Sequence, residues 1–478
     1  MNYRVISHTL GWVAIVEAAC MALPLICAAI YGEACIKSFA ICILLCLAVG
    51  FLLTRGKIVR REMYARDGFV TVAASWIMIS ILGAMPFMLI LKDFAFADAL
   101  FETVSGFTTT GASILNDVEA LPKSLLFWRS FTHWIGGMGV LVFLVALLPL
   151  SGGTNMYLIK AESPGPSVSK LVPKVRSTAK ILYLIYIFMT AVQIILLLIG
   201  GMKPFDALTL SFGTAGTGGF GIKNSSIADY STYSQWVITI FMILFGIDFS
   251  VYHSLFIRRF SSAIRSEEVR VYLLTIAAAT AVIMYNCRGL FEGFFDALRH
   301  SAFQVASVIT TTGYSTADFD KWPELSKTVL LLLMFIGACA GSTGGGIKVS
   351  RVIVMFKSIV KEVKIAAHPK STHKLQLSGR PVEHETQRSI NVFFAAYIVI
   401  YVVSLLVISI DNFDFTTNFS AVVATFNNIG PGFSKVGPTM NFSAYSTLSK
   451  VVLTFDMLAG RLEIFPLLVF FAPYTWKK

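Results

Sequence analysis

Charged residues are scarce in this chain: they make up 14% of its 478 residues, whereas hydrophobic residues make up 56%. With a mean hydropathy of +0.73, too little polar surface is available to coat a soluble globule. No long hydrophilic block separates the apolar stretches, which argues against a large water-soluble domain. The composition therefore predicts an integral membrane protein with one membrane domain.

Residue patterns that carry chemistry are also missing. The seven cysteines form no CxxC pair, and most lie in apolar runs, which favours packing residues over metal ligands. His133 has no set of ligand residues around it. No strand followed by GxGxxG is present, so any nucleotide sensing has to occur on another chain. We expect no catalytic site, no transition-metal site and no bound cofactor.

Continuous apolar stretches of membrane-spanning length recur along the chain. Transmembrane barrels show short alternating segments instead, so we expect an all-α integral membrane protein with about ten transmembrane helices. The stretches lie at 9–31, 36–54, 69–91, 125–149, 181–201, 235–257, 271–287, 326–340, 391–410 and 448–472.

A formal net charge of +12 would suit a nucleic-acid partner, but the basic residues gather in alternate loops. The clusters lie at 55–66, 160–180, 258–270 and 348–388. This is the positive-inside distribution of a membrane protein, and it places these loops and both termini in the cytoplasm. We therefore expect membrane lipid, and no nucleic acid, around the chain.

A threonine and glycine string occurs twice, as FETVSGFTTTGAS at 101–113 and FQVASVITTTGYS at 303–315. Related strings are GTGGF at 216–220 and NNIGP at 427–431. Their spacing along the chain predicts a fourfold internal repeat. We assign two additional N-terminal transmembrane helices and four pore repeats, to residues 1–66, 67–150, 151–260, 261–390 and 391–478 respectively.

Each string follows a segment that is too short to span the membrane. A helix over 96–110 would be about 22 Å long, whereas the hydrocarbon core is about 30 Å thick. The segment must therefore enter the membrane and return, and its non-helical return path needs protein or water beside it. We expect helix N-caps at four aspartates, which are Asp98, Asp206, Asp296 and Asp414.

Four such segments around one axis would turn carbonyl oxygens toward a shared, water-filled path and replace the hydration shell of a cation. The strings contain no carboxylate, which favours a monovalent ion such as potassium over a divalent ion. We therefore predict a potassium selectivity filter formed by Thr109, Thr110, Gly111, Thr217, Gly218, Gly219, Thr311, Thr312, Gly313, Asn428, Ile429 and Gly430.

These four strings, together with WRSFTHWIGGMG at 128–139, ESPGPS at 162–167 and RSTAK at 176–180, resemble the Trk/Ktr/HKT superfamily of potassium transporters. The two additional N-terminal helices are similar to those of the bacterial TrkH-type membrane subunit. The resemblance covers nearly the whole chain. It implies a pseudo-fourfold pore in one chain, a homodimer, and a cytoplasmic nucleotide-binding subunit of the TrkA/RCK type. It also implies the bacterial inner membrane. Gly216 and Gly218 depart from the threonines of other repeats.

The apolar run 326–340 leads into GACAGSTGGGIK at 337–348. This string lacks the Gly-Lys-Ser/Thr ending of a phosphate loop, and a simple turn between helices is the other alternative. We expect a broken transmembrane helix whose loop lines a cavity. The family resemblance implies that the loop is an intramembrane gate made of Gly341, Ser342, Thr343, Gly344, Gly345 and Gly346.

Arg461 lies midway along the last apolar run, where an unpaired charge is costly and faces the bundle interior or water. As the resemblance suggests, we expect it to project into the pore below the filter as an electrostatic barrier. A structural pair with Glu463 is the alternative, although residues two apart on a helix do not face the same way. Asp248 is either a partner for Arg461 or a cation attractor, and both interpretations stay open.

The sequence thus predicts potassium uptake across the cytoplasmic membrane through a channel-like pore, and the family resemblance implies that the loop and the cytoplasmic partner gate it. The alternative is a secondary active transporter that couples K⁺ to Na⁺ or H⁺, although such transporters commonly have inverted repeats. A receptor or scaffold would leave the four matched glycines unexplained. The basic loop 357–390 is the best docking site for the partner, and its alternative role is a lipid anchor.

Overall fold

The computed structural model describes residues 1–56, 64–139, 175–258, 266–369 and 373–477. Helices form nearly all of its regular structure, and the strands in the described part are one two-stranded antiparallel hairpin, β1 (Gln376–Leu377) and β2 (Arg380–Pro381). The expected all-α membrane class is confirmed. The ESPGPS string and Lys370 lie outside the described residues.

An N-terminal helical hairpin, α1 (Tyr3–Tyr31) and α2 (Ile36–Thr54), precedes the remaining helices. Among the described residues, the order long helix, short helix, second helix then occurs four times. These triplets are α3 (Ala65–Ile90), α4 (Phe96–Phe107) and α5 (Lys123–Gly137); α6 (Val175–Ile199), α7 (Pro204–Gly216) and α8 (Thr232–Phe245); α10 (Glu267–Asn286), α11 (Phe294–Ile309) and α12 (Glu324–Ile336); α14 (His384–Ile408), α15 (Phe415–Phe426) and α16 (Thr447–Arg461).

Further helices follow three of the second helices. They are α9 (Phe249–Phe256), α13 (Val349–Ala367), α17 (Phe465–Phe471) and, at the end of the chain, α18 (Pro473–Trp476). Single 3₁₀ turns lie at Phe319–Lys321, Ser409–Asp411 and Ser434–Val436.

Six helices in the described residues are long and apolar enough to cross a membrane, and the bent pair α8 and α9 would be a seventh span. The apolar stretch at 235–257 is not one continuous helix, because the chain bends by 91° between α8 and α9. The apolar stretch at 448–472 is also divided into two helices, because Glu463 and Ile464 have positive φ angles of 55° and 68° between α16 and α17. Apolar composition does not reveal such breaks, since both sides of each break are equally hydrophobic.

The short helices α4, α7, α11 and α15 contain 12, 13, 16 and 12 residues. Asp414 caps α15, and its carboxylate accepts the Thr417 N–H at 2.9 Å. The other three predicted caps are wrong: Asp98, Asp206 and Asp296 are the third residues of their helices. A carboxylate in the first turn still stabilises the positive end of a helix dipole.

The triplets pack in a cyclic order. The second helix of each triplet contacts the short helix of the next: α5 with α7, α8 with α11, α12 with α15, and α16 with α4. The last contact joins the fourth triplet to the first and closes the ring. The four short helices therefore surround one centre, with the segments that follow them on its inner side.

Candidate functional site

Each short helix is followed by three residues that we call a ring segment: 109–111, 217–219, 311–313 and 428–430, numbered 1 to 4. In ring segment 1 the first and third residues have positive φ angles, 56° at Thr109 and 78° at Gly111. The other segments repeat this at Thr217 and Gly219, Thr311 and Gly313, and Asn428 and Gly430. The four predicted filter strings thus share one backbone conformation.

The middle N–H of every ring segment donates back to its own short helix. The Thr110 N–H donates to the Ser105 carbonyl oxygen at 2.9 Å. In the other three segments the N–H of Gly218, Thr312 or Ile429 donates at 2.8 Å to the carbonyl oxygen of the residue five positions earlier in the chain. This bond holds each segment at the C-terminal end of its helix. It uses the N–H group and leaves the carbonyl oxygen of the same residue free.

The third residue of each segment lies against the middle carbonyl of the next segment. A Cβ added to Gly111 would be 2.1 Å from the Gly218 oxygen. The corresponding distances are 1.8 Å from Gly219 to the Thr312 oxygen, 2.0 Å from Gly313 to the Ile429 oxygen, and 2.7 Å from Gly430 to the Thr110 oxygen. Only glycine permits this approach, and the fourth contact returns to the first segment.

The four middle carbonyls belong to buried residues, Thr110, Gly218, Thr312 and Ile429. Within the described part of the chain, no backbone N–H donates to them. Buried carbonyl oxygens without donors are unfavourable. A ring of them is a chemically suitable site for a dehydrated cation, whose hydration oxygens they replace.

All four ring glycines line one cavity, together with residues that follow each ring segment in the chain. Loops around it are joined in the same cyclic order. The Asn224 amide donates to Asp117 at 2.8 Å, Ser315 N–H to Ser226 at 3.2 Å, Ser434 N–H to Asp320 at 3.1 Å, and the Asn441 amide to Asn116 at 2.9 Å. The Asn224 hydrogen bond lowers the pKa of Asp117, which keeps a negative charge near the cavity.

A buried ion pair supports ring segments 1 and 2, and sequence reasoning missed it. Arg129 Nε lies 2.6 Å from Glu102 Oε1, and both side chains are almost fully buried. Glu102 accepts the Ile114 N–H at 3.0 Å, while Arg129 donates to the Gly221 carbonyl oxygen at 2.9 Å. The sequence did contain a signal for this pair, because Glu102 and Arg129 both lie inside apolar runs. Charged side chains are buried in such runs only when they are paired.

Residues 337–348, the glycine loop, lie between α12 and α13 and contact the ring from the other side. The Gly345 N–H donates to Thr311 Oγ1 at 2.6 Å, and Thr343 Oγ1 donates to the Phe245 carbonyl oxygen at 3.2 Å. A Cβ on Gly345 would lie 2.7 Å from the Asn427 oxygen. The loop therefore sits directly beside ring segments 3 and 4.

Arg461 connects the glycine loop with the opposite side of the ring. Its guanidinium donates to the Thr343 carbonyl oxygen at 2.9 Å and to the Gly137 carbonyl oxygen at 2.8 Å. Glu463, the alternative partner, forms an ion pair with Arg351. Asp248 accepts the Ser250 N–H at 2.8 Å and caps α9, beside Gly341 of the loop.

Glu268 anchors both ends of the glycine loop, and sequence reasoning missed this residue too. One carboxylate oxygen accepts the Ala340 N–H at 2.7 Å and the Ser350 N–H at 3.0 Å. Ser350 is in the first turn of α13, so the carboxylate also suits the positive end of that helix. An acidic pair, Glu267 and Glu268, at the start of a span between basic loops was the available signal.

Comparison with known proteins identifies the family. The TrkH family model, described as a cation transport protein, matches residues 32–290 and 293–478. The chain belongs to the TrkH family of cation transport proteins. Because the relatives of the family are transport proteins, the expectation that the chain is not an enzyme is confirmed.

Two relatives from bacteria match over the full length. The chain is 35% identical over 486 residues to the Trk system potassium uptake protein TrkH of Salmonella typhimurium, with 100% of both proteins covered. It is 33% identical to TrkG of Escherichia coli, covering 100% of this chain and 99% of TrkG. The crystal structure of the potassium transporter TrkH from Vibrio parahaemolyticus matches with a TM-score of 0.90 and 29% identity over 100% of both chains. The predicted resemblance is confirmed.

The ring geometry predicts that Gly111→Ser weakens discrimination between cations. The added Cβ would overlap the Gly218 carbonyl oxygen, and a side chain at a φ of 78° is strained by about 1–2 kcal/mol. We expect the K⁺/Na⁺ permeability ratio to fall by about tenfold. Reversal potentials of the purified protein in planar bilayers measure this ratio.

Gly289→Ser is the matched control, because a Cβ at Gly289 meets no atom within 4 Å. The control should keep the parent ratio. An unchanged ratio in Gly111→Ser would show that ring segment 1 does not select the ion.

Proposed function

We propose that the chain is the potassium-translocating subunit of a bacterial potassium-uptake system and conducts K⁺ through the ring. The closed ring of four buried, donor-free carbonyl oxygens carries this proposal. The names of its relatives, which are Trk system potassium uptake proteins, support the choice of ion. The distribution of basic residues supports cytoplasmic termini, and the proposed site of action is the inner membrane.

Potassium is the ion that this ring suits best. Its ligands are backbone carbonyl dipoles, and none of the twelve ring-segment residues is a carboxylate. A divalent ion is more strongly hydrated and takes carboxylate ligands in proteins. Carbonyl dipoles are sufficient to replace the hydration shell of K⁺. The cavity beside the four glycines supplies the hydrated ion to the ring.

In this arrangement the glycine loop is the gate and the observed conformation is closed. The loop contacts ring segments 3 and 4, while Arg461 bridges the loop and α5 across the path below the ring. A guanidinium in a confined path raises the energy of a passing cation. Opening therefore requires the loop to leave Thr311 and Arg461 to release Thr343.

A cytoplasmic partner can reach the gate through the β-hairpin. The Ser378 N–H at its turn donates to the Glu267 carboxylate at 3.0 Å. The Lys357 ammonium forms an ion pair with Glu267 at 2.5 Å and donates to the Gln376 carbonyl oxygen at 2.9 Å. Glu268 is the next residue and holds both ends of the glycine loop. A nucleotide-binding subunit of the TrkA/RCK type that moves the hairpin therefore acts on the gate. The homodimer is part of the same proposal.

Single-molecule currents in a planar bilayer test the proposed conduction. With K⁺ as the only permeant cation, we expect resolved unitary currents that follow the K⁺ gradient. A slow flux that stops without a Na⁺ or H⁺ gradient would instead establish coupled transport. The breaks after α8, α12 and α16 give that alternative some support, because such transporters also use discontinuous helices.

Loss of the gate should raise the current without the partner. Deletion of 341–346, and separately Arg461→Gln, each removes contacts between the loop and the rest of the path. We expect K⁺ flux into proteoliposomes to rise by about tenfold, equivalent to a barrier lowered by about 1.4 kcal/mol.

Lys327→Gln serves as the control for lost positive charge, because Lys327 pairs with Glu324 in the first turn of α12, at the end of that helix away from the loop. It should conduct as the parent does. If both gate variants fold and conduct no better than the parent, the glycine loop is not the gate.

Partner docking is tested on the basic surface of the 357–390 segment. Replacement of Lys361, Lys364 and Lys370 by Gln should reduce co-purification of a TrkA-like subunit and abolish nucleotide-dependent opening. Lys361 and Lys364 lie on α13, four residues or more beyond Lys357. The control is Lys321→Gln, an exposed lysine in the loop after ring segment 3. Retention of both partner binding and the nucleotide response would leave this segment as a lipid anchor.

A further inference from the structure

His133 lies in α5, is fully buried, and faces ring segment 2. A Cβ added to Gly218 would lie 1.3 Å from His133 Nδ1, and one added to Gly216 would lie 2.2 Å from the His133 carbonyl oxygen. The imidazole also contacts Phe220, with ring centroids 4.2 Å apart. His133 therefore occupies the space where side chains at both glycines would be.

Two of the other ring segments fill this space with a threonine pair. Behind ring segment 1, the hydroxyls of Thr108 and Thr110 are hydrogen-bonded at 2.8 Å. Behind ring segment 3, Thr310 and Thr312 form the same pair at 2.8 Å. The matching positions of ring segment 2 are Gly216 and Gly218. The two departures from the repeat thus face one residue of a neighbouring helix: the imidazole of His133 lies against Gly218, and its backbone carbonyl lies against Gly216.

In the second triplet, a methionine occupies the position that corresponds to His133. Gly137 of α5 and Gly246 after α8 both lie against the next segment: a Cβ on Gly137 would be 2.6 Å from Gly216 Cα, and one on Gly246 would be 2.9 Å from Thr310 Cγ2. Four residues before Gly246 is Met242, which is buried. The first triplet therefore has the rigid imidazole of His133 where the second triplet has the flexible side chain of Met242.

We propose that His133 is the positioning residue for the second quarter of the filter. Its imidazole replaces the missing threonine pair and keeps the Gly218 carbonyl oxygen at the same distance from the axis as the other three. Gly216, Gly218 and Gly219 leave this segment unusually free to move, so its position depends on what packs behind it. The inference rests on the proposed function, because it assumes that the ring selects K⁺.

A double-mutant cycle tests the exchange between the two sites. His133→Ala opens a void behind Gly218 and should lower the K⁺/Na⁺ permeability ratio about tenfold. Gly218→Thr alone collides with the imidazole and should lower the ratio at least as far. In His133→Ala with Gly218→Thr, a threonine returns to the emptied space, and we expect the ratio to recover to within about threefold of the parent.

Reversal potentials in planar bilayers give the ratio, and thermal unfolding in detergent reports whether each variant folds. His8→Ala, which removes a histidine near the start of α1, is the control and should keep the parent ratio. An unchanged ratio in His133→Ala, or a double variant as impaired as the two single effects combined, would overturn the inference.

Where a single variant does not fold, the double variant decides: recovery of folded, selective protein supports the exchange, and failure to recover overturns it. A parent protein that conducts K⁺ and Na⁺ equally well would instead overturn the proposed function itself. The two failures are therefore distinguishable.

Discussion

Four carbonyl oxygens meet at the centre of this protein, on Thr110, Gly218, Thr312 and Ile429, where they are buried and receive no backbone donor from the described residues. Such a cluster is costly in the absence of a cation, so the surrounding structure has to hold it in place. Each middle N–H is bonded to its own short helix, and each third residue is a glycine pressed against the next carbonyl. The short helices must end at the ring for this to occur, which is why none of them spans a membrane.

The same constraint acts on the second helices. Gly136 of α5 and Gly460 of α16 pack against the last turns of the short helices, where an added Cβ would be 1.8 Å from the Phe107 oxygen and 2.0 Å from the Phe426 oxygen. Backbone contact of this kind uses small residues, as at other helix interfaces in membranes. Soon afterwards the second helices end, at Gly137, Phe245, Ile336 and Arg461. The chain below the ring is therefore free to form the glycine loop.

Repetition was the part of this architecture that the sequence could predict. Four strings ending in Gly111, Gly219, Gly313 and Gly430 indicated four equivalent segments, and the structure gives them one conformation and one contact pattern. Contacts between distant residues were not predictable. The fold alone brings Glu102 next to Arg129. It likewise brings Glu268 to the two ends of the glycine loop. The breaks at 246–248 and 462–464 escaped notice because hydropathy averages over them.

One chain with four repeats can hold features that four identical subunits cannot. Arg461 follows Gly460 in α16, while the residue at the corresponding place in α5 is Gly137, whose carbonyl oxygen accepts from that guanidinium. A symmetric tetramer would put four guanidinium groups around one path and exclude cations from it altogether. In the described part of the chain, the features that break the fourfold pattern here are Arg461 and the glycine loop, and the guanidinium joins them by donating to the Thr343 carbonyl oxygen. The loop is held at both ends by Glu268, and Glu267 beside it is bonded to the β-hairpin. The asymmetric part of the chain thus connects the β-hairpin with the glycine loop through Glu267 and Glu268, while the four ring segments keep one backbone conformation.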